Sequence, residues 1–418
     1  MCRYVVLPLF FKTWSSIVMT SKLFRFLVLF SVVSLVACKA ALNPEWTLFY
    51  SHTQNDESRL EWLSNVAVDS YGDVLTAGDT IRTGVNRQQN VLLTKHDRNG
   101  TLIWATEYDF AQGAYRSDDN TTDLALDNDG NAYLVGVQYI VENELQRYGS
   151  FLMKVDRFGD VVWTQLLSDK EDARDVEVVG GKVYVTGHAT QVFDLDGARL
   201  LNIEHSDAKA WDVEVDDLGN IYVVGYASAT KYDQYGDVEW RVVQPEGLSH
   251  QASIVVNGDG SVVIAHTQAD NSVRIAGISN TGFVEWRNAY SPSQQSYGLP
   301  GHALVKTDRR GDIVLVVSND KGRRIVKLND SGQQQWQVTG SGIVRDFVIG
   351  DDDAVYLVGG GINEKYSASG SFIAEATMSP AAQITTGSIA LDGNNIYVGY
   401  SANSSDGFNF FLSKYIDQ

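Results

Sequence analysis

One pattern recurs eight times along this chain. An apolar–x–apolar segment runs into an Asp turn with Gly, and an alternating apolar run then ends near a second Gly. The clear copies are VAVDSYGDVLTAG (66–78), LALDNDGNAYLVG (124–136), VEVVGGKVYVTG (176–187) and VEVDDLGNIYVVG (213–225). The weaker copies are IVVNGDGSVVIAH (254–266), LVKTDRRGDIVLVVS (304–318), FVIGDDDAVYLVGG (347–360) and IALDGNNIYVGY (389–400). The spacing is about 46 residues. A second pattern, Lys–x–Asp–x–x–Gly–x–x–x–Trp, follows in KHDRNGTLIW (95–104), KVDRFGDVVW (154–163) and KYDQYGDVEW (231–240). KLNDSGQQQW (327–336) and GISNTGFVEW (277–286) are variants, while FDLDGARLL (193–201) and ATMSPAAQI (376–384) read as degenerate copies. Alternation with period two predicts strands with one buried face. Asp-Gly and Asn-Gly steps between them predict tight hairpin turns. Each unit therefore predicts two hairpins, or four antiparallel strands.

A four-stranded unit of this length cannot bury both faces alone, so its neighbours must stack on it. The expected fold is all-β: a single β-propeller of eight four-stranded blades, with seven as the alternative. The chain ends support a ring. FFLSKYIDQ (410–418) supplies a third strand without a Trp strand, and Trp46–Tyr50 supplies a Trp strand without a partner. Their pairing would close the ring and remove free sheet edges. Trp46, Trp104, Trp163, Trp240, Trp286 and Trp336 then occupy one equivalent position, expected to be core between blades rather than a substrate platform. Segments such as LGNIYVVGYASATKYDQYGDVEW (218–240) resemble the SBBP β-propeller repeats of bacterial exported proteins, over about residues 45–418. That family is described with seven blades, and the resemblance implies a fold but no activity.

The N-terminus predicts export. Lys22 and Arg25 precede the apolar run Phe26–Val33, the layout of a signal peptide over residues 1–37, with Met19 the better start. The run is short for a membrane span. Leu35-Val36-Ala37-Cys38 resembles a bacterial lipobox, which implies acylation of Cys38, a tether over 38–44 and a propeller over 45–418. Lys39 in place of Asp favours the outer membrane, on its periplasmic face or at the cell surface. The net charge of −19 argues against a nucleic-acid partner and against anionic lipid as a ligand of the body. The membrane partner is reached through lipid alone.

Little in the sequence predicts catalysis. The seven His are scattered, without metal-site spacing. There is no nucleophile elbow, P-loop or dinucleotide fingerprint. Ser206–Lys209 and Ser228–Lys231 have Ser–x–x–Lys spacing, but Lys231 falls in a predicted strand. Asp127–Gly130 and Asp351–Asp353 read as turns rather than calcium loops. No metal and no cofactor are implied. One constellation stands out just before the first strands: Asp123, Asp175, Asp212 and Asp346, with Asn65 at the same position and Arg174, Arg345 and Trp211 beside them. These could ring one mouth of a central channel and bind a polar or cationic group. Alternatively each carboxylate caps backbone N–H groups of a neighbouring segment or pairs with the adjacent Arg. Long connections near 79–90, 109–122, 137–150 and 287–302 are the expected contact loops.

The leading reading is a membrane-tethered, non-enzymatic binding or scaffold protein of the bacterial cell envelope, with a protein or glycan partner. The chain is also distantly similar to the propeller lipoproteins of the outer-membrane β-barrel assembly machinery, which implies an accessory role there. Those repeats carry Thr before the Gly of the turn, and here Thr281-Gly282 alone does so. The remaining alternative is a propeller enzyme, a quinone-dependent dehydrogenase or a glycan lyase or hydrolase.

Overall fold

The computed structural model describes residues 40–50, 59–82, 88–110, 116–142, 145–168, 173–205, 209–243, 251–268, 270–296, 302–376, 386–404 and 407–417. The chain divides into two compact units, residues 1–40 and 41–418. The expected signal peptide, the Met19 start and Cys38 lie outside the described residues. Among the described residues no helix is long and apolar enough to cross a membrane, and every regular element is a strand.

Each repeat is an antiparallel meander. In the fourth, strands Ala210–Val215, Ile221–Gly225, Ser228–Tyr232 and Val238–Val243 pair in chain order. Four sheets of four strands have this form among the described residues, and a fifth takes Trp46–Tyr50 as its outer strand. The first two meanders, within Arg59–Tyr108 and Arg116–Ser168, are joined into one sheet by a single parallel bridge between Gln89 and Asp118. The strand Trp46–Tyr50 pairs antiparallel with Gly407–Ile416, from Trp46 opposite Lys414 to Tyr50 opposite Phe410.

The turns follow from Asp and Gly together. At Asp156–Asp160 the Asp156 carboxylate accepts the N–H groups of Phe158 and Asp160 at 2.9 and 3.0 Å. Gly159 takes φ of 95°, which places it in the left-handed region that a side chain disfavours. The N–H of Gly159 then reaches the Asp156 carbonyl, and the N–H of Asp156 reaches the Asp160 carbonyl. This is a turn closed by a glycine bulge rather than a two-residue hairpin. The third-strand Lys reaches back to the first hairpin of its own repeat. Lys95 reaches the turn carboxylate of Asp69 at 2.7 Å, and Lys231 lies 5.3 Å from the centroid of the Tyr222 ring.

The tryptophans join one repeat to the next. The indole N–H of Trp104 donates to the Arg157 carbonyl at 3.0 Å, and the ring lies against Gly159 of the following repeat. Trp163 with Leu195 and Gly197, Trp240 with Asn280 and Gly282, Trp286 with Asp330 and Gly332, and Trp336 with Ala368 and Gly370 repeat the arrangement. Trp46 lies against Gly100, but Lys414 takes the carbonyl of Arg98 in that seam. The core is correspondingly divided. One apolar cluster joins Leu75, Leu93, Leu134 and Phe151 of repeats 1 and 2; another joins Leu63, Val66, Tyr397 and Leu412 of repeats 1 and 8.

Two expectations are corrected. The seventh copy of the second pattern is not at 376–384 but at Lys365–Ala374, where a turn at Ser367–Ser371 links Ile362–Tyr366 to Phe372–Glu375. Ser367 replaces Asp as the turn's acceptor, with Ser371 N–H at 3.1 Å, so the Asp signal was missing. The expected loops at 79–90 and 137–150 are mostly strand: Val74–Arg82, Gln88–His96, Ala132–Glu142 and Leu145–Val155. Cross-strand pairing carries these polar segments past the core, and it continues to Arg82–Gln88 and Glu142–Leu145.

Candidate functional site

A local defect aims the first-strand carboxylates. In repeats 1 to 4 the ladder between the first and second strands slips by one residue just before Asn65, Asp123, Asp175 and Asp212. The extra residues are Ser64, Thr122, Arg174 and Trp211. Such a bulge re-aims the following side chain and crowds the partner strand. The second-strand Gly opposite the bulge answers that crowding. A Cβ on Gly225 would stand 2.7 Å from the Lys209 carbonyl oxygen, and one on Gly136 would collide with that of Asn120.

Each carboxylate accepts a backbone N–H of the next repeat. Asp123 takes Val176 at 3.0 Å, Asp175 takes Val213 at 2.9 Å, and Asp212 takes Ile254 at 2.9 Å. Asp346 takes Ile389 at 3.1 Å and the Ser388 hydroxyl at 3.2 Å. Ser388 in turn accepts the N–H of Val66 at 3.1 Å, and the Asn65 amide donates to Asp123 at 2.9 Å. The carboxylates therefore bond one repeat to the next.

They also share one space, because charges from repeats that are not neighbours act on one another. Asp346 acts on Asp123, Asp123 on Asp212, and Lys306 on Glu214. Burial raises Asp123 and holds Asp175 well above the usual carboxylate range, with Asp212 and Asp123 adding to the latter. Asp212 is pushed up to about 6 by burial. Glu177 and Glu214 lie two residues further along their strands. Burial and mutual repulsion push Glu177 to about 9; burial and Asp212 push Glu214 to about 8. Such groups hold protons at neutral pH.

The flanking residues divide. Arg174 stacks over Trp211 at 4.7 Å, and Trp211 packs 5.6 Å from Tyr226. Arg345 meets His302 at 3.0 Å, and burial with that guanidinium lowers His302 to about 4. So Asp123, Asp175 and Asp212 come together with Glu177 and Glu214. Arg174 with Trp211, and Arg345 with His302, form separate contacts. Lys306 approaches Asp346 at 3.8 Å.

No protein-family model matches the chain, and no curated protein sequence does. Solved structures do. BamB from Moraxella catarrhalis superposes with a TM-score of 0.56 at 15% identity, over 89% of this chain and 98% of that one. The Dos1 propeller superposes with a TM-score of 0.60 at 11% identity, over 89% of this chain and 95% of that one. The fold is a β-propeller. In a propeller the first strands surround the central channel, which is the space the carboxylates share.

The propeller holds a further carboxyl pair that the repeat pattern did not reveal. Asp79 accepts the N–H of Thr121 at 2.8 Å, and Asp119 accepts that of Phe110 at 3.1 Å. Burial pushes both up to about 7. Asp79 follows directly on the first repeat copy, and Asp119 lies in a segment expected to be a loop.

Proposed function

We propose that the chain is a membrane-tethered, non-enzymatic scaffold of the bacterial cell envelope. Its body is an eight-bladed propeller with SBBP-type repeats, closed by Trp46–Tyr50 on Gly407–Ile416. The observation that carries the reading is the use made of the channel carboxylates. Asp123, Asp175, Asp212 and Asp346 are engaged in backbone bonds between repeats, which is a framework role. The pairing of the first and last strands and the apolar cluster joining repeats 1 and 8 support closure. The likeness to BamB favours an accessory role in outer-membrane β-barrel assembly as the specific form of this function.

The test is photo-crosslinking in intact cells from the two ends of the meander. Phe158 stands at one end on a turn, and Tyr148 stands near the other on a hairpin arm; both side chains are exposed. Reproducible capture of outer-membrane assembly proteins from either position supports the scaffold and its assembly role. Capture of envelope polysaccharide alone, with polysaccharide turnover by the purified protein, overturns the non-enzymatic reading. Cys38→Ser should release the protein from the membrane fraction, and retention would refute the tether.

A further inference from the structure

Two seams between repeats can be compared side chain by side chain. In repeats 2 and 6 the third-strand Lys stands opposite Tyr133 and Val314, respectively. Counting back four residues from Lys154 and Lys327 places Ser150 where Arg323 stands. In repeats 3 and 7, Tyr184 opposes Val192 and Tyr356 opposes Lys365, which places Gln191 where Glu364 stands. The outer strands end at Ser168 and Ser341.

In the seam between repeats 6 and 7, Arg323 fills the space. It is 5% exposed, and its guanidinium donates to the Glu364 carboxylate and the Ser341 carbonyl. The seam between repeats 2 and 3 has the small Ser150 instead and a cavity of about 190 Å³. Gln191 lines it and is 7% exposed. Its amide nitrogen donates to the Leu167 carbonyl at 3.1 Å, and its amide oxygen has no partner. A buried acceptor without a donor is costly. The cavity wall also carries Glu204, held by Asn202 at 2.7 Å, and one cation, Arg199.

We propose that this cleft binds a guanidinium group supplied by a ligand, which takes the place that Arg323 takes in the equivalent seam. A guanidinium offers planar N–H donors and no acceptor. It would give one N–H to the free oxygen of Gln191 and present its charge to Glu204, a charge-assisted contact. The guanidinium comes either from a free small molecule or from an arginine side chain of a partner. The cleft depends on neither the membrane tether nor ring closure, so its occupancy is independent of the function proposed above.

Calorimetric titration of the full chain with N-acetyl-arginine amide tests it, with the matching citrulline compound as the uncharged isostere. Saturable binding of the arginine probe is expected at roughly millimolar concentration. The citrulline probe should bind at least about tenfold more weakly. Ser150→Arg should plug the cleft from within, abolishing binding with the melting temperature kept or raised. Gln191→Leu should weaken binding about fivefold or more, and carries the same reading if Ser150→Arg does not fold. Comparable binding of free probe and an Arg-centred pentapeptide points to a small molecule; tighter peptide binding points to a partner's arginine. Absence of saturation, equal binding of the two probes, or binding unchanged by both substitutions overturns the proposal.

Discussion

At the scale of single residues, the propeller stores protons in its interior. Asp212, Asp79, Asp119, Glu214 and Glu177 sit at about 6, 7, 7, 8 and 9 when folded. All five lie above their unfolded values, so the folded state holds protons that the unfolded state has released. Their stabilising effect is complete below the unfolded values and is lost as pH rises through the folded ones. The buried His96, His266 and His302 act oppositely. Each is lowered to about 4, which favours folding as pH rises toward 6.5. Above that pH the carboxyls act alone. The melting temperature should therefore fall between pH 6.5 and 9, by roughly 2–4 °C for each kcal/mol lost. Glu177→Gln with Glu214→Gln should flatten that fall, and calorimetry across the range checks it. A wild-type curve that rises over the interval would refute the assignment. The sequence exposed the positions of Asp123, Asp175, Asp212 and Asp346, because they recur. It did not expose Asp79, Asp119, Gln191 or Ser150, whose significance depends on what the adjoining repeat brings against them.

At the scale of elements, the turn and the seam are one object. The glycine that lets the Asp156 turn close also presses on Trp104 of the previous repeat, so one residue serves local shape and packing between repeats. Gly159→Ala meets two penalties. It must adopt φ of 95°, and its Cβ would stand 2.9 Å from the indole of Trp104. Gly393→Ala meets only the first, at φ of 56°, with nothing within 4 Å. The second variant should cost about 1 kcal/mol, and the first at least about 1 kcal/mol more. Denaturant midpoints of the pair separate the terms, and equal losses would refute the packing role. Turns carrying Asp and Gly were readable directly from the sequence. The turn at Ser367–Ser371 was not, because hydroxyls replace the carboxylate there. The hairpin arms of repeats 1 and 2 were missed for another reason. Their polar residues, such as Gln138 and Gln146, hide strands held by pairing beyond the core.

At the scale of the whole molecule, the decisive contact is between residues that are remote in sequence. Thr47 and Ser413 stand opposite each other, with their hydroxyl oxygens 3.0 Å apart and 366 positions between them in the chain. Thr47→Cys with Ser413→Cys would bridge nearly the whole body. Closing so long a loop restricts the unfolded chain strongly, by about 4 kcal/mol or more in the chain-entropy model. The oxidised form should show a higher denaturant midpoint than the reduced form. An unchanged midpoint would mean that opening this strand pair is not part of global unfolding.

The same contact imposes an order on biogenesis. Trp46–Tyr50 leaves any machine that delivers the chain from its N-terminus long before its partner Gly407–Ile416. Until that partner arrives Trp46–Tyr50 has an unmade edge, and the repeat 1 side of the apolar cluster shared with repeat 8 is bare. Unpaired edges of this kind template association with other chains. A polypeptide built this way cannot complete this sheet until Gly407–Ile416 has been delivered. The early strand and the side chains of Leu63 and Val66 stay uncovered for that interval, so the chance of misassociation grows with the time taken to deliver Gly407–Ile416.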